Sequence, residues 1–547
     1  MKRPASLFTP IVVGVSALFF VSYATIAYLK YRNFEWSTFD VTSNLYFWDL
    51  IFSRWWHTIA WDEAQIYLQS LLVQPIALVF ALLRVVIRSD YLPIVANVGA
   101  VSATIPLLYF WGRKQLHHES LALAAAMAFA LNPFVSVQAI MGFRYDNFAP
   151  VFWLLMLSGH QARNKRLFWI GFILSCATKA NILIINTVLC FLLARKEPAA
   201  YLNRAWKVSM VWLAVLVAVQ VTLLIVSPLG DTGALAPGLI YQSVVAPIVA
   251  DPAAIVPFAA DYFGSGAGMW LFHALISVLF LPLLALWWLL PVAVEGAYTF
   301  AFSLAIPHIP KFREFFAAMV EFGNVHLYVA IFFVFFLHLA SIDGAEKITR
   351  KLTGKNGRRI LVAVWLLVAV IHHWFYTNPV LGPVPLTAEF NTKFYQQTEH
   401  QQNLEAAFSS LSRNLETIGN GGFREHFGTF GNRRMRSVEG YRIGDKIFGD
   451  QIIIDFYSFT PFEPRNALLE KSIHFLTHSD FGVVSFVDGI VILRRGHPNS
   501  DNARVFAWIK SNRDSLLRNL LNPYTAGKNA KGNDRAYAKT QLHAEDR

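Results

Sequence analysis

The chain has 547 residues, of which 55% are hydrophobic and only 15% are charged. Soluble domains contain about 25% charged residues, so this composition excludes an ordinary soluble enzyme. The formal net charge of +12 would suit a nucleic-acid-binding protein, but the basic residues are concentrated in short loops between long apolar runs. That distribution orients helical membrane proteins, so we predict a polytopic membrane protein that binds the lipid bilayer and no nucleic acid.

Apolar runs of about 20 residues, long enough to cross a bilayer as helices, recur along the chain. The first run, 10–29, follows Met1-Lys2-Arg3 without a cleavage site behind it, so we expect a retained helix and a cytoplasmic N-terminus. Further crossings are predicted at 93–111, 120–139, 147–160, 208–227, 267–290, 294–309, 323–341 and 360–376. Lys and Arg fall on the cytoplasmic side of this topology, whereas the outer loop 228–266 contains neither.

Basic residues flank the apolar segment between Arg166 and Arg195, so both of its ends should lie in the cytoplasm. The segment has about 28 residues, or about 42 Å as one helix, and a single crossing would separate its ends. We therefore predict two short helices that meet near Thr178-Lys179-Ala180-Asn181. With this pair, the chain makes about 11 crossings and its C-terminus lies outside.

Two extracytoplasmic regions interrupt the crossings. The first, 30–92, is rich in Trp and Tyr, which favour the headgroup zone, and its apolar part 70–88 predicts a helix lying at the interface. The second begins after about Thr377, and helices are predicted there near 398–418 and over 465–477. Strands are predicted at 451–456 and 483–493, so this second region should form a small α/β domain.

The predicted organisation has three parts. A membrane domain covers 1–376 and includes the external loop 30–92, an extracytoplasmic α/β domain covers 377–524, and a disordered tail covers 525–547. The tail is polar and contains several Gly and Lys residues, so it cannot bury an apolar core. The two cysteines, Cys176 and Cys190, share one apolar region, where we expect small buried hydrophobic residues.

Charged groups at the membrane or just outside it are costly, which makes them candidates for function. Asp40 follows the first crossing, where it would act as a general base or cap the helix after it. Arg144 and Asp146 lie two residues apart at the outer end of the third crossing, on the same side as Asp40. They suit either an ordinary interfacial ion pair or a site in which Arg144 faces a phosphate and Asp146 positions a substrate or a metal.

Lys179 stands between two apolar half-helices, where an ammonium group needs a carboxylate, a lipid phosphate or water. His326 lies at the outer start of the crossing 323–341, where a packed interfacial histidine is commoner than a ligand. Asp62 and Glu63 form an acidic pair in the external loop that is more typical of a solvated face than of a site. The sequence contains no nucleotide-binding, zinc or nucleophile-elbow motif, which argues against a primary pump.

Four stretches resemble the GT-C superfamily of membrane glycosyltransferases, and within it a family of uncharacterised bacterial multi-span proteins. They are Phe39-Asp40-Val41, Gly142–Pro150 (GFRYDNFAP), Ala177-Thr178-Lys179-Ala180 and Gly323–Leu339 (GNVHLYVAIFFVFFLHL). The similarity extends over residues 30–495, including the polar α/β region. The chain departs from the family pattern at Ser43-Asn44-Leu45, where a second acid is common, and at Arg144, where a His is usual.

This resemblance implies a GT-C-like fold and a transferase of the bacterial inner membrane. Its donor would be a polyprenyl-phosphate-linked sugar, and its acceptor a glycan, lipid or protein at the periplasmic face. Asp40 would deprotonate the acceptor hydroxyl, Asp146 would be the second catalytic residue, and the anomeric configuration would invert. A divalent metal ion stays an open alternative. The residues implied for binding of substrate or phosphate are Arg144, Tyr145, Lys179 and His326.

Two other functions stay open from the sequence. A transporter or flippase of a lipid-linked glycan would also use broken helices with a buried lysine, although the large polar tail and the lack of an inverted repeat count against it. A non-catalytic envelope assembly protein would use the C-terminal domain as a binding module. Covalent transfer of a sugar distinguishes the enzyme from both alternatives.

Overall fold

The computed structural model describes residues 7–33, 39–51, 73–226, 273–294, 330–351, 355–375, 384–412, 414–420, 435–438, 449–457, 465–478 and 480–518, with a few single residues between them. The chain divides into two compact units. The first unit combines Met1–Ala27 with Phe47–Phe390, and the second combines Tyr28–Tyr46 with Asn391–Arg547. Within the described ranges, the sheet strands belong to the second unit.

Helices account for most of the described chain before residue 376. In chain order they are α1 (Phe8–Arg32), α2 (Phe39–Ile51), α3 (Ala77–Val86), α4 (Leu92–Leu116), α5 (Glu119–Ala130), α6 (Pro133–Ile140), α7 (Ala149–Gln161), α8 (Lys165–Thr178), α9 (Ala180–Lys196), α10 (Ala200–Val226), α11 (Ala330–Lys351) and α12 (Lys355–Trp374). Short 3-10 helices lie at Tyr145–Phe148, Leu281–Leu284 and Leu286–Leu289.

The described residues contain four helices long and apolar enough to cross a membrane, at Phe8–Arg32, Leu92–Leu116, Ala200–Val219 and Asn356–Trp374. The pair α5 and α6 supplies a fifth span if it is one bent crossing. The predicted count of about 11 crossings is therefore not supported. The predicted crossing 294–309, apart from its first residue, and the predicted tail 525–547 lie outside the described residues.

Some predicted crossings are interrupted for local reasons. The run 120–139 bends by 51° between α5 and α6, where Pro133 starts a new helix. Asn132 caps that helix, because its side-chain oxygen accepts a hydrogen bond from Phe134 N at 3.0 Å. The run 267–290 contains two 3-10 helices in its described part instead of one continuous helix.

The helix break predicted at Lys179 is confirmed. Helix α8 ends at Thr178, α9 begins at Ala180, and Lys179 between them has extended backbone angles. Asn186 Nδ2 donates to Ser175 Oγ at 2.9 Å across the break. In one continuous helix these two residues would lie about 16 Å apart, so the two half-helices fold back beside each other.

The second unit contains a mixed five-stranded sheet between layers of helices. Its elements are α13 (Glu399–Ser410), β1 (Thr417–Gly419), β2 (Met435–Ser437), β3 (Gln451–Asp455), α14 (Arg465–Thr477), β4 (Phe481–Val487), β5 (Ile490–Arg495) and α15 (Asn502–Arg518). The strand order is β2-β1-β3-β5-β4, with β1 parallel to β2 and β3, and β5 antiparallel to β3 and β4. Ile452 and Ile454 pack into one core with α14 and α15, whereas Ile453 packs with α13 in another.

The helix predicted over 465–477 and the strand predicted at 451–456 are confirmed as α14 and β3. Two other predictions are wrong in extent. The helix predicted over 398–418 ends at Ser410, and strand β1 follows it. The strand predicted over 483–493 is a hairpin, because Asp488 and Gly489, with φ of 48° and 75°, form the turn between β4 and β5.

Candidate functional site

The loop between α6 and α7 places a cation against a buried carboxylate. Arg144 donates from Nε and Nη2 to the two carboxylate oxygens of Asp146, at 3.2 and 3.0 Å. The two side chains are 4% and 2% exposed. This two-point geometry is the strong form of an Arg–carboxylate pair, and neither charge would be stable alone at this degree of burial.

The break between α8 and α9 brings a second cation to the same carboxylate. Lys179 Nζ lies 3.6 Å from Asp146 Oδ2, and 33% of the lysine side chain is exposed. Two positive charges thus face one negative charge, which leaves these three groups with a net charge of +1. A partly exposed ammonium group close to a guanidinium group is suited to an anion such as phosphate.

The environment of Asp146 decides what its carboxylate can do. Burial alone would raise the pKa of this loop residue, but the charges and hydrogen bonds of Arg144, together with the charge of Lys179, hold the pKa below its ordinary value. An ionised carboxylate that two cations already occupy is a weak proton acceptor. The geometry therefore favours a role for Asp146 in holding Arg144 and Lys179, which was not predicted from the sequence, over a role in proton transfer.

Tyr145, between the two charged residues, belongs to an aromatic cluster. Trp48 of α2 donates from Nε1 to the Tyr145 hydroxyl at 2.7 Å. The Trp48 ring stacks on Phe80 of α3 and meets Phe143 edge-on, with centroid distances of 5.1 and 5.0 Å. Trp48 is 1% exposed, so it is a core residue and not one of the headgroup-zone tryptophans expected in the external loop.

Helix α3 is tied to the helix break. Ile76 N, just before α3, donates to Ala177 O at 2.8 Å, two residues before Lys179. Helix α3 has 10 residues, or about 15 Å, so it cannot cross about 30 Å of hydrocarbon. The prediction of a short helix instead of a crossing is therefore confirmed, whereas its place at the interface stays a prediction.

The two faces of α3 differ in polarity. Arg84 is held between two carboxylates, with Nε 3.1 Å from Asp49 Oδ1 and Nη2 2.6 Å from Asp90 Oδ1. The opposite face is apolar and open, with Leu82 57% and Val86 81% exposed. In a membrane protein, such a face is suited to contact with lipid chains.

In a comparison of the sequence with family models, residues 73–413 match a family model. The chain belongs to the family described as "Predicted membrane protein (DUF2079)". The matched range includes Arg144, Asp146 and Lys179, and it covers well over half of the chain. Together with the apolar helices, this membership confirms a membrane protein. No curated protein and no solved structure matches the chain.

Not every predicted site residue of this DUF2079 protein is described. Asp40 is the second residue of α2, but its side chain lies outside the described residues, and His326 lies outside them altogether. Among the residues that the structure describes, no group of three or more His, Cys, Asp and Glu could hold a metal ion. Asp146 is engaged by two cations, so the described part of this site does not fit a divalent metal.

Two asparagines that support the site were not predicted from the sequence. Asn97 in α4 and Asn186 in α9 are both fully buried, and each joins neighbouring elements through its carboxamide. Asn186 accepts from Trp153 Nε1 at 2.7 Å and donates to Ser175 on the other side of the break. Their position within apolar runs was a sequence signal that could have identified them, because a polar residue in a membrane helix is costly unless it is paired.

A second charged cluster lies in the second unit. His400 Nδ1 is 2.7 Å from Asp488 Oδ2, and its Nε2 is 3.2 Å from Asp455 Oδ2. An ionised carboxylate only accepts hydrogen bonds, so both ring nitrogens carry protons. Burial lowers the pKa of His400, but the two carboxylates outweigh it and raise the pKa to about 9. The protonated His400 therefore links α13 to the sheet through two ion pairs, and it does not act as a base at neutral pH.

Proposed function

We propose that the protein is a GT-C type glycosyltransferase, which moves a sugar from a polyprenyl-phosphate-linked donor to an acceptor at the periplasmic face of the bacterial inner membrane. The observation that carries the proposal is the partly exposed Lys179 ammonium beside Arg144 and Asp146, at a helix break in a membrane protein. The leaving group of such a transfer is a lipid phosphate, whose developing negative charge needs fixed cations. The acceptor is a glycan, a lipid or a protein.

In the proposed reaction, Asp40 takes the proton from the acceptor hydroxyl, and the oxygen attacks the anomeric carbon of the donor sugar. The bond between that carbon and the phosphate oxygen breaks, and polyprenyl phosphate leaves with the electron pair. Attack from the face opposite the phosphate inverts the anomeric centre. Lys179 and Arg144 stabilise the charge on the leaving phosphate. The role of Asp40 rests on its position after the first apolar helix.

In the proposed site, the lipid chain of the donor lies along the apolar face of α3. The start of α3 is bonded to the end of α8 beside Lys179, and the open face of α3 is apolar. A phosphate held at Lys179 therefore has an apolar surface near it along which an isoprenoid chain lies. The isoprenoid chain already lies in hydrocarbon before it binds, so this contact contributes van der Waals packing and orientation and not a hydrophobic transfer energy.

The test is transfer from a lipid-linked donor. The full-length protein in nanodiscs is incubated with a radiolabelled polyprenyl-phosphate hexose and an envelope fraction as acceptor pool, and release of polyprenyl phosphate is followed. We expect Asp40→Asn and Lys179→Met to lower the rate by about a hundredfold or more. Lys165→Met is the matched control, because Lys165 is an exposed cation at the other end of α8, and its rate should equal that of the wild type.

Each alternative function has its own signature in these experiments. Equal rates for the wild type and Asp40→Asn would remove Asp40 from the mechanism. Movement of the donor across proteoliposomes without a covalent product would support a transporter or flippase instead. An assembly role would be supported if deletion of 377–547 abolished the cellular phenotype while Asp40 and Lys179 were both replaceable.

A further inference from the structure

Asn97 is a polar residue within the apolar helix α4. Its side chain is fully buried, with 0% exposure. A carboxamide taken out of water costs free energy unless its donors and acceptor are all paired, and in a membrane helix such a residue is a candidate for function. Asn97 does not belong to the ion cluster, so its role must be sought in what it bonds.

The carboxamide of Asn97 uses its full hydrogen-bonding capacity. Its Nδ2 donates to the backbone oxygens of Gln138 and Ala139, at 3.1 and 3.4 Å. Its Oδ1 accepts from the backbone N of Arg144 at 3.2 Å and from Nδ2 of Asn147 at 2.8 Å. One side chain of α4 is therefore bonded to both ends of the loop that follows α6.

These four bonds fix the conformation of that loop. Gln138 and Ala139 belong to the last turn of α6, where helix carbonyls lack intrahelical partners. Gly142, with φ of 87°, has the left-handed conformation that favours glycine, and Arg144 follows two residues later. Arg144 N donates to Asn97 Oδ1, so Asn97 fixes the backbone position of Arg144. The positions of the Arg144 guanidinium and of Asp146, two residues later, depend on that backbone position.

We propose that Asn97 is a positioning residue for the cluster of Arg144, Asp146 and Lys179. It holds the loop so that Asp146 Oδ2 lies 3.0 Å from Arg144 Nη2 and 3.6 Å from Lys179 Nζ at the same time. Its importance for catalysis rests on the proposed function, but its effect on the geometry of the cluster does not. A test that measures Lys179 directly therefore separates the two.

The test is residue-resolved acetylation of the full-length protein in nanodiscs. The protein reacts with a limiting amount of acetic anhydride, and modification of Lys179 is quantified by peptide mass spectrometry. Asp146→Asn defines the full effect, because loss of the carboxylate should raise the labelling rate of Lys179 about fivefold. Asn97→Ala, which displaces the carboxylate without removing it, should give more than half of that rise.

The matched control is Asn132→Ala. Asn132 is 1% exposed and caps the opposite end of α6, so its loss weakens the same helix without touching the bonds of Asn97. Lys179 labelling in Asn132→Ala should equal that of the wild type. If Asn97→Ala does not fold, Asn147→Ala removes one donor to Asn97 Oδ1 and should give a smaller rise in the same direction.

Two results would overturn the proposal. One is wild-type labelling of Lys179 in Asn97→Ala while Asp146→Asn raises it. The other is an equal rise in Asn97→Ala and Asn132→Ala, which would mean that α6 stability alone matters. If Asn97→Ala raises the labelling but the wild type transfers no sugar, the positioning role stands and only the proposed function fails.

Discussion

Replacement of Asp146 by Asn should destabilise the first unit more than most single substitutions. The change removes from Arg144, which is 4% exposed, the carboxylate that accepts two of its hydrogen bonds, and it places an NH₂ group opposite the guanidinium donors. The charge of the three groups rises from +1 to +2. Breaking a buried ion pair from one side costs about 3–5 kcal/mol, so we expect a loss of about 3 kcal/mol in the free energy of unfolding.

Removal of both partners of the ion pair should be tolerated better than removal of Asp146 alone. In Arg144→Met with Asp146→Val, both charges of the buried pair are removed together, and apolar side chains of similar total volume fill the space. We expect the free energy of unfolding to stay within about 1 kcal/mol of the wild type. Phosphate binding should nevertheless be lost, because one of the two cations is gone.

Asp90→Asn is the matched control for this prediction. Asp90 is 14% exposed and pairs with Arg84, but Arg84 keeps Asp49 as a second carboxylate. The loss should therefore be about 1 kcal/mol or less. Unfolding in mixed micelles titrated with sodium dodecyl sulfate, followed by tryptophan fluorescence, ranks the variants. Equal losses in Asp146→Asn and Asp90→Asn would show that the buried pair of Arg144 and Asp146 contributes no more than the pair of Arg84 and Asp90.

Two further predictions concern stability. The pKa of His400 is raised from 6.5 to about 9 in the folded protein, so protonated His400 adds at most roughly 3 kcal/mol to the free energy of unfolding. This contribution is complete below about pH 6.5 and is lost as the pH rises through about 9. Pulse proteolysis of the full-length protein should show faster cleavage within 391–518 at alkaline pH, and His400→Gln should flatten this dependence. Gly171→Ala should lower the free energy of unfolding by more than about 2 kcal/mol in the mixed-micelle assay, because a Cβ at this position would lie 2.6 Å from Phe152 O. Gly14→Ala is the matched control, because a Cβ at Gly14 would meet nothing within 4 Å.

These two predictions have separate refutations. A cleavage rate in 391–518 that changes with pH equally in the wild type and His400→Gln would assign the dependence to other groups. Equal stability of Gly171→Ala and Gly14→Ala would show that α7 and α8 can separate at low cost. Both sets of variants leave the ion cluster unchanged, so neither result bears on the proposed function.

Part of the architecture could be predicted from the positions of charged residues and apolar runs in the sequence. The break at Lys179 follows from basic residues at both ends of one apolar segment, and the structure confirms it. Helices α1 and α4 begin and end close to the bounds of the predicted apolar runs, because charged residues also mark the ends of those runs. The bend at Asn132-Pro133 was also present in the sequence as a cap followed by proline, but the apolar run across it concealed the helix boundary.

The rest of the site depends on contacts between distant residues. No spacing in the sequence relates Trp48 to Tyr145 or Asn97 to Arg144, which lie 97 and 47 positions apart. The hairpin at Asp488-Gly489 had a local signal, since this dipeptide suits a two-residue turn, but continuous β-forming residues on both sides suggested one strand. Local patterns therefore predicted helix ends and turns better than they predicted the partners of buried polar groups.

Competitive photo-crosslinking with an isoprenoid phosphate tests whether Lys179 binds the phosphate of the donor lipid. A photoreactive farnesyl phosphate is crosslinked to the protein in nanodiscs, and the modified residues are mapped by mass spectrometry. We expect crosslinks in 165–196 and in α3, with competition by farnesyl phosphate but not by farnesol. Lys179→Met should bind the probe at least about tenfold more weakly than Lys165→Met. Equal competition by farnesol, or equal binding by the two lysine variants, would contradict a phosphate site at Lys179.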